Sequence, residues 1–363
     1  MADVKTVVVG VSGGVDSSVA ALLLKQQGYN VIGVFMKNWE EDAGDGHCTA
    51  AADSLDAQAV CERVGIPFFE VNFSKDYLDN VFSEFLKDLN AGLTPNPDVL
   101  CNREIKFKPF LKYALSLGAD YIATGHYAQV VMVDGHYALA KCADDNKDQT
   151  YFLNQLTEAE LSKTLFPLAN LKKDEVRKIA EENGLVTAHK KDSTGICFIG
   201  ERNFKNFLKG YIYTKPGDIK LTNGRVVGRH DGLAFYTLGQ SKGLNIGGIQ
   251  GERQVKRVVV EKDLKTNSLI VAPEDDPRLF SSGLKTSDFN WTAPVLKQKK
   301  FACTAKFRHR QKDQDVIAQF NDDKTVTLKF IEKQRAITPG QYAVLYLNNI
   351  CIGGGKISEV YFT

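Results

Sequence analysis

Short β-branched runs and longer stretches of helical spacing alternate along the first 125 residues. Residues 5–11 form a β-branched run, and VAALLLKQQG, after a Gly-rich turn, has the spacing of a helix that ends at Gly28. NVIGVFM, IPFFEV and ADYIATG are further predicted strands, with helices near 50–64, 75–90 and 104–117. This alternation predicts an α/β fold with a parallel sheet covered by helices on both faces.

The pattern changes at about Gly210. From there, short β-rich runs such as VKRVVVEKD, TVTLKF and QYAVLYL are separated by Gly, Asn and Asp. We therefore predict three domains: a parallel-sheet domain over 1–205, a small central β-rich linking domain over 206–283, and a C-terminal β-barrel over 284–363. Two long polar connections, 37–49 and 92–103, interrupt the first domain and are candidate functional loops.

Composition indicates the cellular compartment of the protein more clearly than any reaction that it catalyses. The chain starts without a charged leader or a long apolar segment, and no apolar run approaches the ~20 residues of a membrane helix, so we expect a cytoplasmic protein without a membrane partner. Its seven cysteines are widely spaced and contain no CxxC pair, which indicates reduced thiols. Net charge is only +2, yet residues 284–363 carry 13 Lys or Arg against 7 Asp or Glu. The positive charge is concentrated in the predicted barrel.

The turn SGGVDSS at 12–18 follows a strand and opens a helix. Backbone N–H groups around Gly13 and Gly14 can converge there on an anion at the positive end of the helix. The turn lacks the GK[ST] ending of a Walker loop, so it is not built to transfer a γ-phosphate. Asp16 offers a carboxylate for Mg²⁺, and the neighbouring serines offer hydroxyl donors. The alternative is a tight glycine turn with only a structural role.

Two cysteines lie in polar loops beside cations. Cys101 lies in TPNPDVLCNREIKF, in a loop that we expect to lead into a helix whose dipole would favour a thiolate; Cys197 lies in KDSTGICFIGERNF near Lys190 and Lys191. The other five cysteines are expected to be inert buried residues. No metal site is expected from their spacing.

The segment SGGVDSS resembles the phosphate loop of the PP-loop ATP pyrophosphatases. Together with PNPDVLCNREIKF, ATGHYA, KDQTYFL, DSTGICFIGERNF, GRHDGLAFYTLGQ and CIGGGKI, it resembles, almost over the whole chain, the tRNA-specific 2-thiouridylases. The resemblance implies ATP and Mg²⁺ as cofactors, Met36 near adenine and Gly125 closing the nucleotide pocket. It also implies that the phosphates are held by Gly10, Val11, Ser12, Gly13, Gly14, Val15, Asp16 and Ser17.

The same resemblance implies a two-cysteine sulfur transfer to wobble uridine 34. Cys101 would be the nucleophile, and Cys197 would carry a persulfide received from a sulfur-relay protein or a cysteine desulfurase. ATP would convert the C2 oxygen into an adenylate, and a Cys101–Cys197 disulfide would remain. Asp98 is a candidate general acid or base, although an Asp in this position could equally be a helix N-cap.

The segment 297–312, KQKKFACTAKFRHRQK, is a candidate phosphate-binding stripe because it carries seven cations and no acidic residue. Alternation would place Lys306, Arg308 and Arg310 on one strand face, so a lysine-guarded sheet edge is the alternative. The resemblance implies tRNA(Lys), tRNA(Glu) and tRNA(Gln) as substrates and no DNA. It assigns the target base to Asn96, Pro97 and Asp98, and other tRNA contacts to His126, Lys147, Asp148, Gln149, Arg308, His309 and Gln341. Without it, His126 would be a loop histidine and residues 147–149 a solvated turn.

Other functions remain open at this point. Another PP-loop synthetase acting on a small molecule would leave both cysteines unexplained, and a nucleotide-sensing RNA-binding module would release no pyrophosphate. An Fe–S thiolation enzyme would need more thiolates than Cys101 and Cys197. One departure from the family pattern is Ser241, where Arg is expected.

Overall fold

The computed structural model describes residues 4–40, 49–192, 204–248, 255–293, 298–321 and 323–362. The N-terminal part contains, in chain order, β1 (Thr6–Gly10), α1 (Val15–Gln26), β2 (Asn30–Lys37), α2 (Thr49–Val64), β3 (Phe68–Asn72), α3 (Ser74–Tyr77), α4 (Ser83–Asn90), α5 (Pro97–Cys101), α6 (Pro109–Ser116), β4 (Tyr121–Ala123), β5 (Gln129–Val133), β6 (His136–Ala140), α7 (Glu158–Leu161), β7 (Thr164–Leu165), α8 (Lys173–Glu182) and α9 (Phe204–Leu208). A π-helical turn at Leu78–Phe82 joins α3 to α4, and another at Asn102–Lys106 continues α5.

Five of the described strands of this part form a parallel sheet in the order β3-β2-β1-β4-β7. The valines of β1 are fully buried, with Val7 opposite Val31 of β2 and Val8 opposite Ile122 of β4. A strand buried on both faces needs a continuous apolar run, which is why the β-branched pattern predicted it correctly. Because β1 and β4 are neighbours, the loops after Gly10 and Ala123 meet at the carboxyl edge of the sheet.

The middle part is a small mixed sheet of β8 (Gly217–Leu221), β9 (Val226–His230), β10 (Arg257–Asp263) and β11 (Ser268–Pro273). Its described strands lie in the order β10-β11-β8-β9, with β11 parallel to β8. Ile219, Val259 and Leu269 are fully buried in its own core. The change of pattern after Gly210 thus marks a separate β-rich unit, as predicted.

The C-terminal strands are β12 (Phe280–Trp291), β13 (Lys300–Lys306), β14 (Gln314–Phe320), β15 (Val326–Arg335), β16 (Tyr342–Leu347) and β17 (Ile350–Tyr361). They pair in the order β12-β15-β14-β13-β16-β17, and β12 pairs again with β17, which closes a barrel of six described strands. Leu284, Ala318 and Leu345 are buried inside it. The predicted C-terminal β-barrel is confirmed.

The hairpin β5–β6 belongs to the N-terminal part of the sequence but pairs with the barrel. Ala140 and Leu139 of β6 lie opposite Ile350 and Cys351 of β17, which extends the barrel sheet by two strands. The sequence did not predict this connection, because no local pattern reports a pairing across about 210 residues. No described helix is long and apolar enough to cross a membrane.

Candidate active site

The loop between β1 and α1 is shaped by close backbone packing. Gly13 has a positive φ of 71°, and a Cβ there would lie 2.3 Å from the carbonyl oxygen of Asp53. Gly14 is the N-cap of α1 and supplies no capping side chain, so the orphan N–H groups of the first turn stay available to an anion. The loop therefore has the geometry of a phosphate site.

Two of the serines expected to donate to phosphate are held by the loop itself. The hydroxyls of Ser17 and Ser18 donate to the carbonyl oxygen of Gly14 at 3.0 and 2.8 Å. The Ser17 hydroxyl also accepts from the backbone N–H of Ser12 at 3.1 Å. Fully buried Ser18 accepts from Thr187 of the chain after α8. Ser17 and Ser18 thus stabilise the start of α1.

Asp16 is bound by residues that the sequence did not reveal. Lys173, the first residue of α8, donates to both Asp16 carboxylate oxygens at 2.7 and 2.8 Å, and the Tyr127 hydroxyl donates at 2.9 Å. Lys173 also pairs with Asp192 at 2.8 Å. The amine is nearly buried, and its single positive charge is shared between two carboxylates beside the loop. Lys173 and Asp16 are 157 residues apart in the chain, so no local pattern in the sequence indicates that they pair.

Asp192 continues this network just before the segment that contains Cys197. It accepts from Lys147 at 2.6 Å and from Arg177 at 2.9 Å. Although partial burial opposes it, the hydrogen bonds from Lys147 and Lys173 lower the pKa of Asp192 to about 2. Asp192 is therefore ionised at neutral pH and anchors the chain at this point. Cys197 itself lies outside the described residues, as do Cys48 and Lys297.

Met36 and Gly125, both assigned to the nucleotide, lie beside the loop. A Cβ on Gly10 would lie 3.0 Å from the methyl carbon of Met36, and a Cβ on Gly125 would lie 2.6 Å from the backbone nitrogen of Ser17. Met36 is also a buried member of the main core cluster. The structure therefore brings Gly10, Met36 and Gly125 together around the start of α1.

Cys101 lies in a different local environment from the one that the sequence suggested. It is the last residue of α5, fully buried in the main core cluster, and the helix begins at Pro97. The positive end of the α5 dipole is therefore at Asn96, not at Cys101, and the predicted dipole effect on the thiol was wrong. A π-helical turn begins directly after Cys101, a feature that is frequent at functional sites.

The N-cap of α5 is Asn96, whose side-chain oxygen accepts from the backbone N–H of Val99 at 3.3 Å. The interpretation of Asp98 as an N-cap was therefore wrong; Asp98 lies in the first turn. The Asn96 side-chain amide also donates to Gln341 at 3.3 Å. Two residues assigned to tRNA, about 245 positions apart, are thus in contact.

Gln341 connects the loop before α5 to the barrel. Its side-chain amide donates to the carbonyl oxygens of Thr94 and Pro95 at 3.0 and 3.3 Å, and it accepts from the Tyr151 hydroxyl at 3.4 Å. Tyr151 is fully buried and also donates to backbone carbonyls of the barrel. This polar contact fixes the position of the segment that holds Pro97 and Asp98.

Residues 147–149 are not the solvated turn that their polarity suggested. Asp148 is 3 % exposed, and burial raises the pKa of its carboxyl, although Thr150 and Lys306 oppose the shift. The carbonyl oxygen of Asp148 accepts from the His309 ring at 2.9 Å. Gln149 accepts from the backbone N–H of Tyr127 at 2.9 Å. The segment therefore links the nucleotide loop to the barrel.

His126 is likewise buried. Its ring packs against both Phe107 and Phe166 and hydrogen-bonds the Thr124 hydroxyl at 2.8 Å. Burial, with a smaller effect of Lys106, lowers the pKa of His126 well below its ordinary value, so the ring is neutral at pH 7. In this structure the imidazole is a buried side chain packed against aromatic residues.

The basic segment does not form one strand face. β13 ends at Lys306, which is 8 % exposed and faces Asp148 at 3.7 Å and Asp313 at 3.8 Å. Arg308 and Arg310 follow the strand end and are exposed, and Arg308 donates to the carbonyl oxygen of Ala336 at 2.8 Å. The predicted alternation was wrong here, because the strand stops where the chain turns toward the N-terminal part.

Three family models match the chain in succession. The model described as the tRNA methyl transferase HUP domain matches residues 5–201, the tRNA methyl transferase PRC-barrel domain matches 205–273, and the Aminomethyltransferase beta-barrel domain matches 281–357. These three segments correspond to the parallel sheet, the small mixed sheet and the barrel.

Curated relatives match almost the whole chain. The tRNA-specific 2-thiouridylase MnmA 1 of Geobacillus kaustophilus (strain HTA426) is 57 % identical over 357 residues, which is 98 % of this chain and 96 % of the relative. The tRNA-specific 2-thiouridylase MnmA of Francisella tularensis subsp. holarctica (strain FTNF002-00 / FTA) is 55 % identical over 97 % of this chain and 99 % of its own. A solved 4-thiouridine synthetase–RNA complex with bound ATP is only 17 % identical, covering 57 % of this chain and 49 % of its own, with a TM-score of 0.35.

Proposed function

Since the chain belongs to the tRNA-specific 2-thiouridylase family, we propose that it uses ATP to replace the C2 oxygen of wobble uridine 34 with sulfur. The observation that carries this proposal is the 57 % identity over nearly the full length of both chains. This identity is a stronger guide to function than the family models whose descriptions mention a methyl transferase. Those models each describe one domain, whereas the relatives are compared as whole proteins. The enzyme class is accordingly a sulfurtransferase that acts on tRNA.

ATP is the activating co-substrate, and the loop after β1 supports this role. The uncapped first turn of α1 offers N–H donors to the phosphates, while the close approach of Gly125 leaves space for nothing larger than glycine. Mg²⁺ would arrive with ATP and neutralise phosphate charge, with Asp16 as the nearby carboxylate. Among the described residues no group of three His, Cys, Asp or Glu could hold a resident metal.

The chemistry proceeds in two balanced steps. The C2 oxygen of uridine attacks the α-phosphorus of ATP, and pyrophosphate leaves. The terminal sulfur of a Cys197 persulfide then attacks C2 and AMP leaves; Cys101 attacks the Cys197 sulfur, which frees 2-thiouridine and forms a Cys101–Cys197 disulfide. In the alternative order, Cys101 first releases sulfide, which then attacks C2. A thiol reductant resets the disulfide in either case.

The remaining assignments belong to the same proposal. Asp98, one turn before Cys101, is the candidate general acid or base. The substrates are tRNA(Lys), tRNA(Glu) and tRNA(Gln), the sulfur comes from a relay protein or a cysteine desulfurase, and the reductant requirement favours the cytoplasm. The domain boundaries are 1–205, 206–283 and 284–363, with ATP in the first domain and tRNA also contacting the barrel.

Thiolation of unmodified tRNA transcripts tests the function directly. We expect Mg-ATP and a persulfide donor to give a band retarded on a mercury-affinity gel, together with pyrophosphate release. Cys197→Ser and Cys101→Ser should each abolish the band and leave ATP binding intact. Cys303→Ser, at a buried cysteine in the barrel, is the matched control and should keep activity.

Two results would contradict the proposal. A retained band in either cysteine variant would exclude the two-cysteine mechanism. Absence of both band and pyrophosphate, with folded protein and a donor verified on another acceptor, would exclude the thiouridylase function itself.

A further inference from the structure

A groove of about 610 Å³ lies in the middle domain, outside the site described above. Its wall is formed by residues 241–248 on one side and by the start of β10 on the other. Three cations line it, namely Lys242, Lys256 and Arg257, and none of the described lining residues is acidic. Such a surface attracts a polyanion.

The groove is open to solvent, so the backbone of a nucleic acid could enter it. Lys242 and Lys256 are exposed, and a Cβ on Gly247 would meet no atom within 4 Å. Lys256 pairs with Glu274 at 2.8 Å, with both side chains more than half exposed, so this pair is weak and exchangeable. Lys242 is thus the exposed lining cation that can reach a phosphate without disturbing a described ion pair.

The groove is continuous with the barrel surface that carries Arg308. Gly239, two residues before Ser241, lies so close to the barrel that a Cβ there would be 2.9 Å from the Ala336 side chain and 3.4 Å from the Arg335 guanidinium. Arg308 donates to the carbonyl oxygen of the same Ala336. Cations therefore follow one another from Arg308 through Arg335 to the groove.

The same strip also reaches the loop before α5. The hydroxyls of Thr237 and Thr94 are 3.0 Å apart, which ties the chain entering the groove to the segment that precedes Asn96. A polyanion seated in the groove and along Arg308 would therefore pass close to the proposed position of the target base.

We propose that this groove binds phosphates of the tRNA backbone and so contributes affinity, while the chemistry occurs at the cysteines. This inference rests on the proposed function. A phosphodiester chain fits the observations better than a protein partner, because the groove offers cations and exposed glycine backbone, and Leu244 is the one buried apolar residue among its described lining residues. Protein interfaces are instead anchored by large apolar or aromatic side chains.

Filter binding of tRNA without ATP or sulfur donor, repeated at several salt concentrations, tests the groove. We expect Lys242→Ala to weaken binding roughly 3- to 10-fold and to reduce the slope of log K against log salt by about 1. Ser241→Arg should tighten binding and steepen the slope, a gain that misfolding cannot produce. Lys215→Ala, at an exposed lysine of the same domain outside the groove, should match the wild type.

Thiolation kinetics complete the test. With a small-molecule persulfide donor, Lys242→Ala should raise KM for tRNA and leave kcat unchanged. Unchanged binding and salt slope in both groove variants would overturn the proposal. So would a defect seen only when a relay protein supplies the sulfur, which would identify a protein-docking surface. Because tRNA binding needs neither ATP nor sulfur, an inactive wild type would count against the proposed function and not against the groove.

Discussion

Gly125→Ala tests whether the loop after β1 is the nucleotide site. The added Cβ would lie 2.6 Å from the backbone nitrogen of Ser17 and 2.7 Å from the carbonyl carbon of Asp16. Ordinary contact between such atoms needs about 3.5 Å, so the start of α1 and the strand end must separate by about 0.9 Å. Neither neighbour is a flexible side-chain end, so the strain falls on the backbone.

This displacement should cost about 1–3 kcal/mol of unfolding free energy, the usual range for overpacking. Mg-ATP affinity should fall roughly 10- to 100-fold, because a shift of about 1 Å misaligns the N–H donors of α1. Isothermal titration with Mg-ATP measures the affinity, and scanning calorimetry measures the stability.

Gly210→Ala is the matched control, because its Cβ would meet only the carbonyl oxygen of Phe207 at 3.6 Å. It should leave both quantities within experimental error. A Gly125→Ala protein that binds Mg-ATP like the wild type would refute the placement of the nucleotide, even if its melting temperature fell.

Two further changes probe the buried polar contacts. Lys173→Ala leaves Asp16 without its cation, while Asp192 keeps Lys147 and Arg177, so we expect the free energy of unfolding to fall by about 2 kcal/mol and ATP binding by titration to weaken. Lys178→Ala, on the exposed face of α8, should change neither quantity. Equal behaviour of the two variants would contradict the argument. His126 is held neutral in the folded state and protonates on unfolding, so stability should fall as pH drops below about 6.5, by up to about 1.4 kcal/mol per pH unit. His126→Gln should flatten the melting temperature between pH 7 and 5 relative to the exposed His189→Gln, and identical profiles would show that this histidine does not control the effect.

Local patterns predicted the elements that depend on local physics. β1 is a buried β-branched run, and the turn after it needs glycine where φ is positive, so both were visible in the sequence. The barrel strands followed from apolar runs separated by turn residues. The end of β13 at Lys306 did not, because alternation in KFRHR continues past the point where tertiary contacts turn the chain.

Polar residues were the main source of error, since their environment is set by distant parts of the chain. Asp148 and His126 lie in sequence segments that look like surface loops, yet both are buried, Asp148 against Lys306 of the barrel and His126 against aromatic rings. Lys173 lies in an ordinary charged helix in the sequence and pairs with Asp16 only in the fold. Asn96 was assigned to the target base, and its role as the N-cap of α5 was missed although an Asn before Pro is a recognisable cap signal.

The loop before α5 shows why all three domains are needed for one site. Thr94 donates its backbone N–H to the carbonyl oxygen of Pro339 in the barrel at 3.0 Å, and its hydroxyl meets Thr237 of the middle domain. A Cβ on Gly340 would lie 2.9 Å from the Thr94 backbone, so the barrel is in close contact with this loop. Since Asn96 then caps the helix that ends at Cys101, the position of α5 depends on contacts with both other domains. The N-terminal domain alone would lack the contacts that hold Asn96, Asp98 and Cys101 in position.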